Sequence, residues 1–210
     1  MSRAVFLDRD GVICRNRVDH VKSWEEFEFL DGALEALQLL ARTDLSIIVV
    51  TNQAIINRGI VSAEVVEDIH RRMVQTIQAR GGRIDRVLYC PHRPDEHCEC
   101  RKPRPGLLLQ AAQEMGIDLA HSYLIGDAWS DIAAGQAVGC RSLMVLTGRG
   151  VRQFLRSVRE RRNGFEVVSD LRAAVDVILQ AEGLLIPAPA QPIPRLKPRV
   201  ALPRWSWAMP

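Results

Sequence analysis

Asp8 and Asp10 stand two residues apart where the apolar run Val5, Phe6, Leu7 breaks off, and Gly11 follows at once. On an extended chain that spacing projects both carboxylates to one side and Arg9 to the other. Carboxylates held so close repel unless a cation joins them. Magnesium suits such a pair, because it takes oxygen ligands from one or two carboxylates and shares the rest of its shell with water and substrate phosphate. One aspartate could then attack phosphorus while its neighbour moves protons. Taken alone, a D-x-D-G turn also serves as a plain strand cap. The groups that accompany it decide between the two readings.

Those groups must be placed by elements far apart in sequence. Apolar runs at Ala4 to Leu7, Leu45 to Val50, Ile84 to Tyr89, Ser122 to Ile125 and Ser142 to Leu146 read as strands. Amphipathic stretches between and after them read as helices: Gly32 to Arg42, Ala63 to Arg80, Pro105 to Met115, Asp131 to Val138, Val151 to Arg161 and Asp170 to Glu182. A short extended piece is expected at Phe165 to Val168. Such alternation implies right-handed crossovers and a doubly wound, Rossmann-like parallel α/β sheet with helices on both faces. No stretch is long enough for a large cap domain.

Asp8 and Asp10 follow the first strand, Thr51, Asn52 and Gln53 the second, Cys90 the third, and Gly126 and Asp127 the fourth. All therefore lie at carboxyl ends, the edge where open parallel sheets bind ligands. Singly, each has a bland reading: Thr51 and Asn52 would cap a helix as readily as bind a phosphate, and Arg101 with Lys102 would be solvated surface. Jointly, chance is a poor explanation. Cys90-x-His92, five residues on, meets Cys98-x-Cys100, four soft ligands that suit a closed tetrahedral zinc site, although His97 could compete as a ligand. Cys14 and Cys140 read as small packing residues, and His70 and His121 as surface residues.

The net charge of +3 comes from one end of the chain. Residues 184 to 210 hold Arg195, Lys197, Arg199 and Arg204 with no acid, and without those four the 28 basic residues fall to 24 against 25 acidic. A near-neutral globular part lacks the field of a nucleic-acid binder. Seven of the eleven prolines also fall in that stretch, so residues 1–183 read as one domain and 184–210 as a Pro-rich basic tail, disordered, bearing Trp205 and Trp207. No long apolar span or signal-type segment appears, and an odd count of five cysteines fits a reducing compartment, so the expectation is a cytoplasmic protein without membrane association.

The motifs D-R-D-G-V at 8 to 12, T-N-Q at 51 to 53, R-K-P at 101 to 103 and G-D-x-x-x-D at 126 to 131 resemble the haloacid dehalogenase superfamily of aspartate phosphohydrolases. Within it, F-x-F at 27 to 29, the zinc-type loop and C-R-K-P-x-P-G at 100 to 106 resemble the D-glycero-D-manno-heptose 1,7-bisphosphate phosphatases and the related histidinol phosphatases. The resemblance spans about residues 4 to 150 and does not reach the tail. It implies that Asp8 is the nucleophile forming an aspartyl-phosphate and Asp10 the acid/base. It further implies that Mg2+ is held by Asp8, the Asp10 backbone carbonyl and Asp127, with Asp131 supporting through water. Lys102 and Thr51 match phosphoryl stabilisers, Asn52 and Gln53 belong to the same phosphate-binding motif, and Arg101 matches a substrate-recognition arginine. Zn2+ on Cys90, His92, Cys98 and Cys100 would order the loop and take no part in the chemistry.

The chain departs from the family at Asp19-His20-Val21, where relatives place G-Y-V, at Ala54-Ile55 in place of Ser-Gly, and at Ala128, where a lysine or similar polar group is usual. These sites bear on substrate identity more than on catalysis. The resemblance thus implies a Mg2+-dependent phosphatase acting on a small phosphorylated metabolite, the 7-phosphate of a heptose bisphosphate, with histidinol phosphate as the rival substrate; a monomer is expected. A nucleic-acid 3′-phosphatase is a more distant alternative, set back by the near-neutral charge. Outside the enzymes, a catalytically silent binding module is the alternative, but intact Asp8, Asp10, Lys102 and Asp127 count against it, since folding alone does not need buried acids.

Overall fold

Strand positions in this chain alternate between two apolar sets, and the sheet that results is coated on both sides. A computed structural model describes residues 2–184; the proline-rich tail, with Trp205 and Trp207, lies outside the described residues. The strands are β1 (Ala4–Leu7), β2 (Ser46–Asn52), β3 (Arg86–Cys90), β4 (Tyr123–Gly126), β5 (Arg141–Val145) and β6 (Glu166–Val168). They form one sheet in the order β3-β2-β1-β4-β5-β6, and every pair is parallel. The helices are α1 (Ala33–Leu40), α2 (Ala63–Ala79), α3 (Gly106–Met115), α4 (Trp129–Gln136), α5 (Gly150–Arg159) and α6 (Leu171–Ala181).

Val5 and Leu7 of β1, Ile47 and Val49 of β2 and Leu143 and Val145 of β5 face one core, packed by α1, α2 and α6. Ala4 and Phe6, Ile48 and Val50, and Leu124 face the second core, packed by α3 and α4. Burial on both faces explains why these strands read as continuous apolar runs without polar alternation. Burying each such side chain stabilises the fold by about 1.5–3 kcal/mol, and the polar residues are left to the strand ends.

Three elements differ from expectation. β2 runs on to Asn52, where Thr51 pairs with Tyr89 and Asn52 with Cys90, so these two residues are strand and not helix caps. β3 starts at Arg86 because Asp85 is already committed: its backbone N–H donates to the Ile47 carbonyl and its carboxylate accepts the Ile47 N–H. The extended piece near Phe165 is a true sixth strand, in register with β5 from Leu143 and Glu166 to Val145 and Val168. Among the described residues no insertion forms a large cap; α2, at 17 residues, is a crossover helix.

The order reverses between β1 and β4, the point where a doubly wound sheet opens a crevice at its carboxyl edge. Gly11 closes the turn leaving β1, with a φ of +91° and the position of a Cβ only 2.2 Å from Asp127 Oδ2. Both facts exclude a side chain there. Gly11→Ala is therefore expected to lower unfolding free energy by about 1–3 kcal/mol, read by urea titration; unchanged stability would show that the turn relaxes freely.

Candidate active site

Asp8, Asp127 and Asp131 meet at the switch point, each buried, with one carboxylate oxygen from each lying within 4.8 Å of the others. Three carboxylates out of water need positive charge. Lys102 provides one: its Nζ lies 3.0 Å from Asp8 Oδ1 and 2.6 Å from Asp131 Oδ1, and it donates to the Val50 carbonyl at 2.7 Å. Burial depresses the ammonium, but Asp131 and Asp8 together hold Lys102 above its ordinary value. Arg149 provides a second, donating from Nη2 to Asp127 Oδ1 at 2.8 Å, while its backbone N–H reaches Oδ2 at 2.8 Å.

Burial drives Asp131 up to about 6, against the pull of Lys102 and with the push of Asp8 and Asp127. Asp127 is raised by burial as well, although Arg149 offsets part of the effect. Carboxylates that resist ionisation when left together are the donor set a divalent cation satisfies. Lys102 balances one of the three acids, and one divalent ion matches the other two once Arg149 moves aside. These residues therefore fit magnesium, an oxygen-seeking ion. Asp131 is fixed for its part by the Ala128 N–H, which donates to Oδ2 at 3.0 Å at the start of α4.

Asp10 stands apart from this cluster. β1 ends at Leu7, so strand alternation does not carry through residues 8 to 10, and Arg9 does not point away from Asp10 as expected. The Arg9 guanidinium instead turns onto it, with Nη2 at 3.0 Å from Oδ1 and 2.9 Å from Oδ2. The cation between the two aspartates is thus divided between protein groups, Lys102 on Asp8 and Arg9 on Asp10. Burial pushes Asp10 up, but the Arg9 charge and the hydrogen bonds from Arg9 and Gln53 outweigh it and leave the carboxyl below the usual carboxylate range. The Asp10 side chain remains 21% exposed, facing a cavity of about 430 Å³ that Asp8 also lines.

The T-N-Q residues have three different placements. Thr51 lines that cavity, with its hydroxyl accepting from Gln53 Nε2 at 2.8 Å. Asn52 also borders it, but its amide is engaged with the Lys102 backbone, donating to the carbonyl and accepting from the N–H at 3.1 Å each. Gln53 does not line the cavity; it is buried and donates to Asp10 Oδ2 at 2.9 Å. Thr51 and Asn52 thus reach the cavity, while Gln53, one residue past β2, turns to Asp10. Arg101 lines the cavity and donates to the His92 carbonyl at 3.0 Å.

Of the family departures, His20 and Ala54 line the cavity while Ile55 and Ala128 are buried away from it. His20 takes a left-handed backbone and pairs with Arg58 Nη1 at 3.2 Å. Beside the cavity, Cys90, His92, Cys98 and Cys100 form a second cluster of ligand type, with Sγ separations of 3.2 to 3.5 Å and His92 Nδ1 at 3.3 Å from Cys100 Sγ. Tetrahedral zinc with Zn–S near 2.3 Å sets ligand edges of about 3.8 Å, so the four atoms are grouped for it. His97 does not belong to the group. Burial pushes the Cys90 thiol far up, which a bound cation would reverse.

Two site residues escaped the sequence reading. Arg149 lies in Thr147-Gly148-Arg149-Gly150 after β5, and the carboxyl-end rule extended to the fifth strand would have marked it. His70, expected on the surface, is buried and lies 3.0 Å from Arg9 Nη1; its place in the apolar stripe Val66, Ile69, Met73, Ile77 was the available signal.

A fully parallel 3-2-1-4-5-6 sheet with buried acids at its switch point fits a haloacid dehalogenase-like hydrolase, and the HAD-hydrolase-like family model matches residues 99–174. The D-glycero-beta-D-manno-heptose-1,7-bisphosphate 7-phosphatase of Pseudomonas aeruginosa is 37% identical over 181 residues, covering 86% of this chain and 100% of that protein. Its Bordetella bronchiseptica counterpart is 34% identical over 178 residues, covering 85% and 98%. The crystal structure of D,D-heptose 1,7-bisphosphate phosphatase from B. bronchiseptica complexed with magnesium and phosphate matches with a TM-score of 0.79 at 33% identity, covering 85% of this chain and 99% of that one. The chain belongs to the heptose 1,7-bisphosphate phosphatase family and is a phosphatase.

Burial and the Arg9 charge hold His70 down to about 3, so it stays neutral in the fold. Its contribution to stability is complete above the unfolded value near 6.5 and is lost as pH falls from there toward 3. Between pH 7 and pH 5 the wild type is expected to lose about 2 kcal/mol more unfolding free energy than His70→Gln, read by urea titration at both values. Equal losses would mean that His70 takes up its proton while folded.

Proposed function

We propose that this chain removes the 7-phosphate of D-glycero-beta-D-manno-heptose 1,7-bisphosphate in a magnesium-dependent, two-step reaction through an aspartyl-phosphate on Asp8. One juxtaposition supports the reading above all: Asp8 opens onto the cavity between the Lys102 ammonium and the Asp127 and Asp131 carboxylates, with Asp10 beside it. In the first step an Asp8 carboxylate oxygen bonds to phosphorus as the bond to the sugar oxygen breaks, and Asp10, which takes up a proton against the hold of Arg9 as the anionic substrate enters, gives that proton to the sugar oxygen. In the second step water bonds to phosphorus, its proton passes to Asp10, and the Asp8 oxygen leaves. Lys102 and the Thr51 hydroxyl face the oxygens on which charge sits during transfer.

Magnesium held by Asp8, Asp127 and the Asp10 carbonyl, with Asp131 in support, would neutralise the phosphoryl oxygens. Arg17, Arg58, Arg101 and Arg152 also line the cavity. They offer a cationic rim to the phosphate that is not cleaved, which suits a substrate charged at both ends. The relatives carry this bisphosphate in their names, and the chain spans all of one of them. The same proposal puts zinc on Cys90, His92, Cys98 and Cys100, where it orders the loop leading into Arg101 and Lys102. The enzyme would work as a monomer in the cytoplasm on a small metabolite, without nucleic acid or membrane; no helix among the described residues is long and apolar enough to cross a membrane.

Purified protein with magnesium should release phosphate from the heptose bisphosphate faster than from histidinol phosphate or 3′-phosphorylated oligonucleotides. Asp8→Asn should lower kcat/KM by about 10⁴-fold or more, and chelation of magnesium should stop turnover. A preference for histidinol phosphate would reassign the substrate, and full activity in Asp8→Asn would sink the mechanism. Metal analysis should find one zinc per chain, absent from Cys98→Ser; a zinc-free wild type would remove that site.

A further inference from the structure

Arg9 is among the most completely buried side chains of the protein, at 1% exposure, and nothing in the core asks for a charge there. A buried ion pair costs several kcal/mol of desolvation per ion and is often no more stable than apolar residues of the same volume. Its geometry points toward the active site. Nη2 holds both oxygens of Asp10 and also donates to Gln53 Oε1 at 3.1 Å, while Gln53 Nε2 donates back to Asp10 Oδ2. The planar guanidinium can be fixed only if its other end is held as well. That end, Nη1, meets His70 Nε2 at 3.0 Å. Since an arginine N–H can only donate, Nε2 must be the accepting nitrogen, and His70 must be neutral with its proton on Nδ1. The ring is steadied in turn by Tyr89, 5.5 Å away between centroids, whose hydroxyl donates to Glu67 Oε1 at 2.8 Å.

We propose that Arg9 and His70 are positioning residues for phosphoryl transfer: neutral His70 anchors one end of the Arg9 guanidinium, and the other end fixes the Asp10 carboxylate against the leaving-group oxygen. This inference rests on the phosphatase reading with Asp10 as proton donor. The chain from Glu67 and Tyr89 through His70 and Arg9 carries no proton to the site, because Arg9 keeps its charge throughout. It acts by limiting rotation of Asp10 about its side-chain torsions. The expected signature depends on the leaving group. Expulsion of a sugar alkoxide needs a well-placed proton; expulsion of p-nitrophenolate does not.

The test compares kcat/KM for the heptose bisphosphate and for p-nitrophenyl phosphate in the wild type, His70→Phe, His70→Gln and Arg9→Lys. His70→Phe keeps an aromatic ring and removes the acceptor; His70→Gln keeps an acceptor; Arg9→Lys keeps the charge and removes the fork. A loss of about 10- to 100-fold on the sugar phosphate, against less than about 3-fold on the aryl phosphate, is expected for His70→Phe and Arg9→Lys, the scale of a misplaced catalytic group. His70→Gln should recover most of the sugar-phosphate activity. Equal losses on both substrates, or no loss, would overturn the inference and leave the phosphatase reading intact. If His70→Phe does not fold, Arg9→Lys and His70→Gln decide by the same ratio. A wild type inactive on both substrates would overturn the phosphatase reading, and this inference with it.

Discussion

The buried carboxylates of this protein depend on one charge, the Lys102 ammonium shared between Asp8 and Asp131. Three carboxylates buried side by side would drive one another to take up protons. Lys102 opposes that at Asp131, which burial still lifts to about 6, and its third hydrogen bond, to the Val50 carbonyl, ties the ammonium to β2. The charge therefore links the carboxyl ends of β1, β2 and β4 at the point where the strand order reverses. A parallel sheet is the economical way to bring these ends together, because every crossover returns the chain to the same edge.

Two polar networks grow from that edge and divide the labour. Asp8 belongs to the lysine network, with Asp131 and Asp127 behind it and Arg149 on the far side. Asp10 belongs to the arginine network, with Gln53 and His70. In the proposed reaction the attacking aspartate and the proton-carrying one each keep a cationic partner of their own, Lys102 and Arg9. The backbone of Lys102 is held by Asn52, and the cysteine cluster ends two residues before it at Cys100. The loop and the strand end thus fix the same lysine from two directions.

Much of this was legible before any fold was known. The alternating strand and helix pattern gave the doubly wound sheet, and acids or polar groups after successive apolar runs marked the edge where they converge. The illegible parts share a physical cause. His70 stood in an apolar stripe that marks it as buried, whereas Arg9 looks ordinary along the chain and its burial comes with a long-range contact to His70 that no local pattern records. Gln53 was read with its motif neighbours because its turn onto Asp10 and Arg9, one residue past β2, is a long-range contact that adjacency does not record. Arg149 was overlooked because β5 ends in a glycine-flanked turn that resembles a plain connection.

In the proposed mechanism one divalent cation binds between Asp8 and Asp127, taking over the charge that Arg149 supplies in this structure. Anomalous diffraction from crystals grown with manganese tests it most directly. The account predicts a single strong peak bonded to both carboxylates, with the Arg149 guanidinium withdrawn from Asp127. Saturating manganese that leaves no peak there and Arg149 still paired to Asp127 would contradict it.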